Sequence, residues 1–154
     1  WSEVDLENAI WSIPGHRMKM ASDHIVPLST QSVALLQGLH LVTGDRQLAF
    51  PSLKGEGRPL SENTINAALT AMGYDGTRHR AHGFRASART MLDEQLGYPA
   101  HLIEHQLAHA VKDANGRAYN RTSHLADRKE MMQFWADYLD KLTIGGELLQ
   151  LRRG

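Results

Sequence analysis

The 154-residue chain contains no cysteine. That single absence removes disulfide frameworks, thiolate zinc sites and cysteine nucleophiles together, and it fits a reducing compartment. No apolar run approaches the roughly 20 residues a membrane-spanning helix needs, and no signal-peptide pattern is visible. An excess of charge of one sign is missing too: 17 Lys and Arg stand against 17 Asp and Glu. Composition therefore gives no argument for a nucleic-acid partner, and any such argument must come from where the cations cluster. With 42% hydrophobic residues the chain has material for one ordinary core. A globule of this size buries about two-thirds of its unfolded surface and needs no metal to hold it. The chain opens on Trp1 in mid-pattern, which reads as a piece cut from a longer protein.

The cations cluster in one place. Arg78, His79, Arg80, His82, Arg85 and Arg89 form the most basic run of the sequence. The pattern predicts a helix over Gly83–Gln95, on which His82, Arg85 and Arg89 share one stripe at 100° per residue. Phe84, Ala88, Met91 and Leu92 fall on the roughly opposite side and are expected to face the core. A face with two guanidiniums and an imidazole is suited to holding an anion.

Around this helix the reading is α+β and mostly helical. Val4–Leu6, Ile10–Ile13 and His24–Leu28 predict a small antiparallel three-stranded sheet near the N-terminus, with Pro14 and Pro27 stopping strands. Ser29 is expected to cap a helix over Gln31–Leu41, with Val33, Leu36 and Leu39 or His40 at helical spacing. Ser61 reads as the cap of a helix from Asn63 through Met72, ended by Gly73. Pro99 precedes a helix from Ala100 towards Ala108. The last long helix, Leu125–Leu142, is expected to bury Met132, Trp135, Leu139 and Leu142, widened by Phe134 and Tyr138. Residues 1–145 read as one catalytic domain and 146–154 as a short amphipathic tail. No repeat or low-complexity run interrupts them.

A tyrosine hydroxyl can attack a phosphodiester when three needs are met. Cations must neutralise the non-bridging oxygens, a task that suits arginine's planar fork. Donors must already be in place for the charge that builds on phosphorus. An acid must protonate the departing alkoxide. A phenol near pKa 10 also needs neighbouring cations to favour phenolate.

At these residues the chain resembles a known family. His82-Gly83-Phe84-Arg85 resembles the His-x-x-Arg box of tyrosine recombinases, the phage integrases. Leu107-Ala108-His109 is similar to the later histidine box, and Ala118-Tyr119-Asn120-Arg121 to the nucleophile segment. Upstream, Arg17-Met18-Lys19-Met20 followed by His24-Ile25-Val26-Pro27-Leu28 is similar to the strand-loop-strand that carries an active-site lysine. Each box alone is a weak signal; four in the right order make a strong one. The wording is nearest to integrases of satellite phages and genomic islands.

The resemblance implies roles by position. Tyr119 attacks the scissile phosphate and becomes a 3′-phosphotyrosyl linkage. Arg85 grips the non-bridging oxygens, His82 assists proton transfer around the nucleophile, His109 donates to the phosphate, and Lys19 protonates the departing 5′-oxygen. Arg78, Arg80 and Arg89 lean towards DNA backbone, a solvated basic edge being the competing reading. The implied partners are double-stranded attachment sites, a homotetramer in the synaptic complex, and an excisionase or DNA-bending host factor. No cofactor, metal or membrane is implied, and the setting is the bacterial cytoplasm and nucleoid. The tail is expected to pack in cis or on a neighbouring protomer.

One departure stands out. The family's other catalytic arginine precedes the first strand, and no arginine occurs before Arg17. The 154 residues alone are therefore expected not to cleave DNA. Two alternatives are a type IB topoisomerase and a non-catalytic DNA-binding or interaction module. His101, His105 and His109, at i, i+4 and i+8 beside Glu104, also raise a metal site. The series lacks the His-Glu-x-x-His arrangement and a companion ligand.

Overall fold

The computed structural model describes residues 1–19, 21–55, 57–109 and 124–145. Three short strands, β1 (Val4–Asp5), β2 (Ile10–Ile13) and β3 (His24–Pro27), form an antiparallel sheet in that order. Ile10 pairs with Pro27 and Ile13 with His24. Proline closes β3 at the sheet's outer side, where its missing N–H costs no ladder bond. The β2–β3 connection turns tightly because the Asp23 carboxylate accepts from the Gly15 N–H at 2.7 Å.

Five helices follow among the described residues: α1 (Thr30–Thr43), α2 (Thr64–Ala71), α3 (Ala81–Thr90), α4 (Ala100–Gln106) and α5 (Leu125–Ile144). The α+β, mostly helical reading thus holds. Ser29 caps α1 by accepting from the Ser32 N–H at 3.2 Å, which satisfies one of the helix's orphan donors. Ser61 does not cap α2 in this way; its hydroxyl bonds the Thr64 hydroxyl at 2.8 Å. Gly145 ends α5 at φ 71°, a left-handed stop that glycine reaches without a Cβ clash.

The core is a single cluster of Leu92, Tyr98, Leu102, Ile103 and Met131, flanked by Leu96, Leu107, Met132, Phe134 and Trp135. It lies between the end of α3, α4 and α5. Two expectations fail here. The buried stripe of α5 runs through Arg128, Met131 and Tyr138, whereas Leu139 and Leu142 are each 41% exposed. The stripe begins one turn earlier than apolar spacing suggests because an arginine occupies its first core position.

Phe84 is the second. It is 56% exposed and meets only the edge of His79, with ring centroids 4.4 Å apart. The helix predicted as continuous over Gly83–Gln95 starts at Ala81 and widens after Thr90 into a π-type turn, with Leu96 N–H bonding Met91 O at 3.0 Å. Leu92, inside the widened turn, is buried, whereas Phe84 stands two turns earlier on the first turn of α3, away from the core cluster.

Candidate functional site

The last carbonyls of a helix have no partner inside it, so they draw donors from elsewhere. At the C-terminal end of α4 those donors are cationic or titratable and come from three other elements. Arg85 on α3 donates from Nη2 to the Leu107 carbonyl. His24 on β3 bonds the Gln106 carbonyl through Nε2 at 3.2 Å. Arg128 on α5 donates from Nε to the Gln106 side-chain oxygen at 2.9 Å, and from Nη2 to the Ile25 carbonyl at 2.5 Å. One short helix end therefore joins β3, α3 and α5.

Beside it lies a carboxylate shared by a guanidinium and an imidazole. Glu104 accepts from Arg89 Nε at 2.6 Å through Oε1, and its Oε2 bonds His109 Nδ1. The His109 hydrogen bond chiefly, with help from Arg89, holds the Glu104 carboxyl below its usual range. The His109 backbone N–H also bonds the Glu104 carbonyl at 2.9 Å. Ala108 makes this possible: at φ 54° it turns the chain off the helix. His109 therefore leaves the face that carries His101 and His105. Among the described residues no group of three or more metal-ligating side chains converges.

The predicted residues divide as follows. Arg85 is tied to the Leu107 carbonyl just past α4, not to an internal carboxylate, and Arg89 and His109 are tied to Glu104 on α4. His82 stands exposed on the first turn of α3, one turn before Arg85, with no hydrogen bond among the described residues. Gly83 between them packs close to the His79 ring: a Cβ there would lie 2.9 Å from it, so the ring would have to shift. Lys19 is exposed in the β2–β3 connection and unpaired among the described residues. Arg78 and Arg80 are exposed in the loop before α3, Arg80 Nε donating to the Gly76 carbonyl at 3.2 Å. Tyr119, the nucleophile candidate, and the 146–154 tail lie outside the described residues.

Three residues that carry this arrangement escaped sequence reasoning. Arg128 is fully buried, and desolvation pulls its pKa down to about 10. The only available signal was a charged residue three positions before Met131 on the inner stripe. Glu104 was noted beside the histidines but not as the partner of one; its spacing of five from His109 gives no contact on a straight helix. His24 lies in a predicted strand, and nothing in the sequence points to its bond with the Gln106 carbonyl. Burial lowers its pKa, and Arg128 and Arg85 lower it further against the raising effect of the Gln106 carbonyl.

The model of the phage integrase family matches residues 1–125. The chain is 44% identical to the integrase of Enterobacteria phage P4, over 91% of this chain and 35% of that protein. It is 41% identical to the prophage integrase IntA of Escherichia coli K12, over 97% of this chain and 36% of that protein. The integrase of Shigella phage Sf6 is 37% identical, over 92% of this chain and 36% of its own length. The chain thus spans about a third of the length of these relatives. No solved structure matches it. With the two boxes that the fold sets on one helix end lying inside the matched region, this chain belongs to the phage integrase family.

Proposed function

We propose that residues 1–145 form the catalytic domain of a site-specific DNA recombinase that integrates or excises a mobile element. The observation that carries this reading is that Arg85 reaches the Leu107 carbonyl, two residues before His109, although 24 positions separate Arg85 from His109. Two such donors can take the non-bridging oxygens of one phosphate, and they need little reorganisation as charge builds on phosphorus. Tyr119 attacks through its phenolate oxygen; the P–O bond to the 5′-oxygen breaks, and Lys19 protonates that oxygen as it leaves. His82 moves the phenolic proton. The 3′-phosphotyrosyl bond conserves the energy of the bond broken, so a 5′-hydroxyl of another strand reverses the step without nucleotide or metal.

Arg78 and Arg80 follow the DNA backbone beside this centre, a contact that positions the duplex without reading its sequence. Partners are attachment-site duplexes, three further copies in a synaptic tetramer, and an excisionase or DNA-bending factor. The setting is cytoplasmic, on nucleoid DNA; among the described residues no helix is long and apolar enough to cross a membrane. The reading includes a further phosphate-gripping arginine. The first arginine of the sequence, Arg17, is bonded to Glu3 at 2.6 Å.

The test is covalent trapping of the full-length integrase on a nicked duplex bearing the element's junction sequence. Tyr119→Phe is expected to abolish the protein–DNA adduct while leaving binding intact. Undiminished adduct would remove Tyr119 from its role.

A further inference from the structure

Glu104 has no part in the chemistry described so far, yet its carboxylate is bonded to both His109 and Arg89. It holds His109 twice: its backbone carbonyl accepts the His109 N–H at 2.9 Å, and its Oε2 bonds the ring at Nδ1. Its other oxygen is fixed by Arg89 at 2.6 Å. The carboxylate is the less exposed member of the trio, 23% against 46% for Arg89 and 47% for His109. Arg85, by bonding the Leu107 carbonyl, fixes the turn that delivers His109. An imidazole engaged at one nitrogen by a carboxylate presents the other in a set direction, and the partner decides which nitrogen that is.

We infer that Glu104 is the positioning residue of His109: its carboxylate accepts from Nδ1–H, so that in the doubly protonated ring, the form in which both nitrogens donate, Nε2–H is the donor presented to the scissile phosphate, while Arg89 keeps the carboxylate in place. This rests on the reading of His109 as a phosphate donor. It assigns Arg89 a second task besides contact with DNA backbone. Removal of the carboxylate leaves the ring free to rotate and two cationic groups facing each other without an anion between them. The protein folds but presents the wrong nitrogen.

The experiment is a double-mutant cycle in the full-length integrase, measuring the rate of covalent attachment to the nicked junction duplex, with thermal unfolding followed in parallel. Glu104→Gln, nearly isosteric, is expected to slow attachment about 10–100-fold, the usual cost of losing the partner that orients an active-site histidine. Glu104→Asp, which keeps the charge on a shorter stem, should recover part of the rate and serves if the amide folds poorly. In a His109→Ala background Glu104→Gln should cost nothing further. A second loss of the same size there would mean that Glu104 acts on the fold, and would overturn the inference. So would an unchanged or faster rate for Glu104→Gln, the latter showing that the carboxylate competes with the phosphate. Should His109→Ala alone attach at the wild-type rate, the reading of the site fails and the inference falls with it; slow His109→Ala with normal Glu104→Gln sinks the inference alone.

Discussion

Arg128 on α5 donates to the Ile25 carbonyl on β3 across 2.5 Å, with no part of its side chain exposed. Its Nε holds Gln106, so one buried guanidinium ties the sheet to the C-terminal end of α4. Its Nη1 has no hydrogen-bond partner, and among the described residues no carboxylate pairs with it. Burying an unpaired cation is expensive. The fold accepts that cost in exchange for a joint that apolar packing cannot make.

Truncating this joint should be severe. Arg128→Ala leaves a cavity and two stranded acceptors, so a loss of about 3 kcal/mol is expected, or about 6–12 °C in Tm. Arg128→Lys should recover little, because an ammonium cannot reproduce the fork that reaches Gln106 and Ile25 together. Thermal unfolding of the two variants beside the parent checks this; near-parental melting of the lysine variant would contradict it.

His24 makes stability depend on pH. Its folded pKa lies below its ordinary value, so the unfolded chain takes up the proton first as pH falls. Stability should therefore be full above about pH 6.5 and decline below it, levelling off once the folded form also protonates. Urea midpoints measured between about pH 5 and 7.5 should show this slope, and His24→Gln should flatten it. The same slope in the variant would place the titrating group elsewhere.

Gly83 should show a reversal of sign. In the parent, Gly83→Ala drives a methyl against the His79 ring, which is itself wedged on Phe84, and overpacking of this kind costs about 1–3 kcal/mol. With His79→Ala already in place the same change should stabilise by up to about 1 kcal/mol, since alanine is the better helix former. Denaturant unfolding of the four proteins decides it.

Much of the architecture was legible before any coordinates. Pro14 ends β2, Pro27 ends β3 and Ser29 announces α1, because each acts through local backbone chemistry. Convergence of Arg85 with His109 was readable only through the resemblance; no periodicity relates α3 to α4. What sequence missed depends on tertiary context. Arginine is almost never fully buried, so Arg128 could not be placed in a core by type. A positive φ at Ala108 has no local signature, so the i, i+4, i+8 histidine series looked like one face when its last member turns away. Helical counting gives a face but not how far along it a core reaches, so Phe84, near the start of α3, shares the face of Leu92 yet lies beyond the core cluster.

The account stands on Arg85 neutralising one phosphate beside His109. The direct measurement is covalent attachment of full-length Arg85→Ala to two nicked duplexes, one with the natural scissile phosphate and one with a neutral methylphosphonate in its place. Removing the substrate's charge removes the need for the guanidinium, so attachment should be lost on the phosphate and regained on the methylphosphonate. Equal failure on both duplexes would contradict the assignment, as would full activity on the natural one.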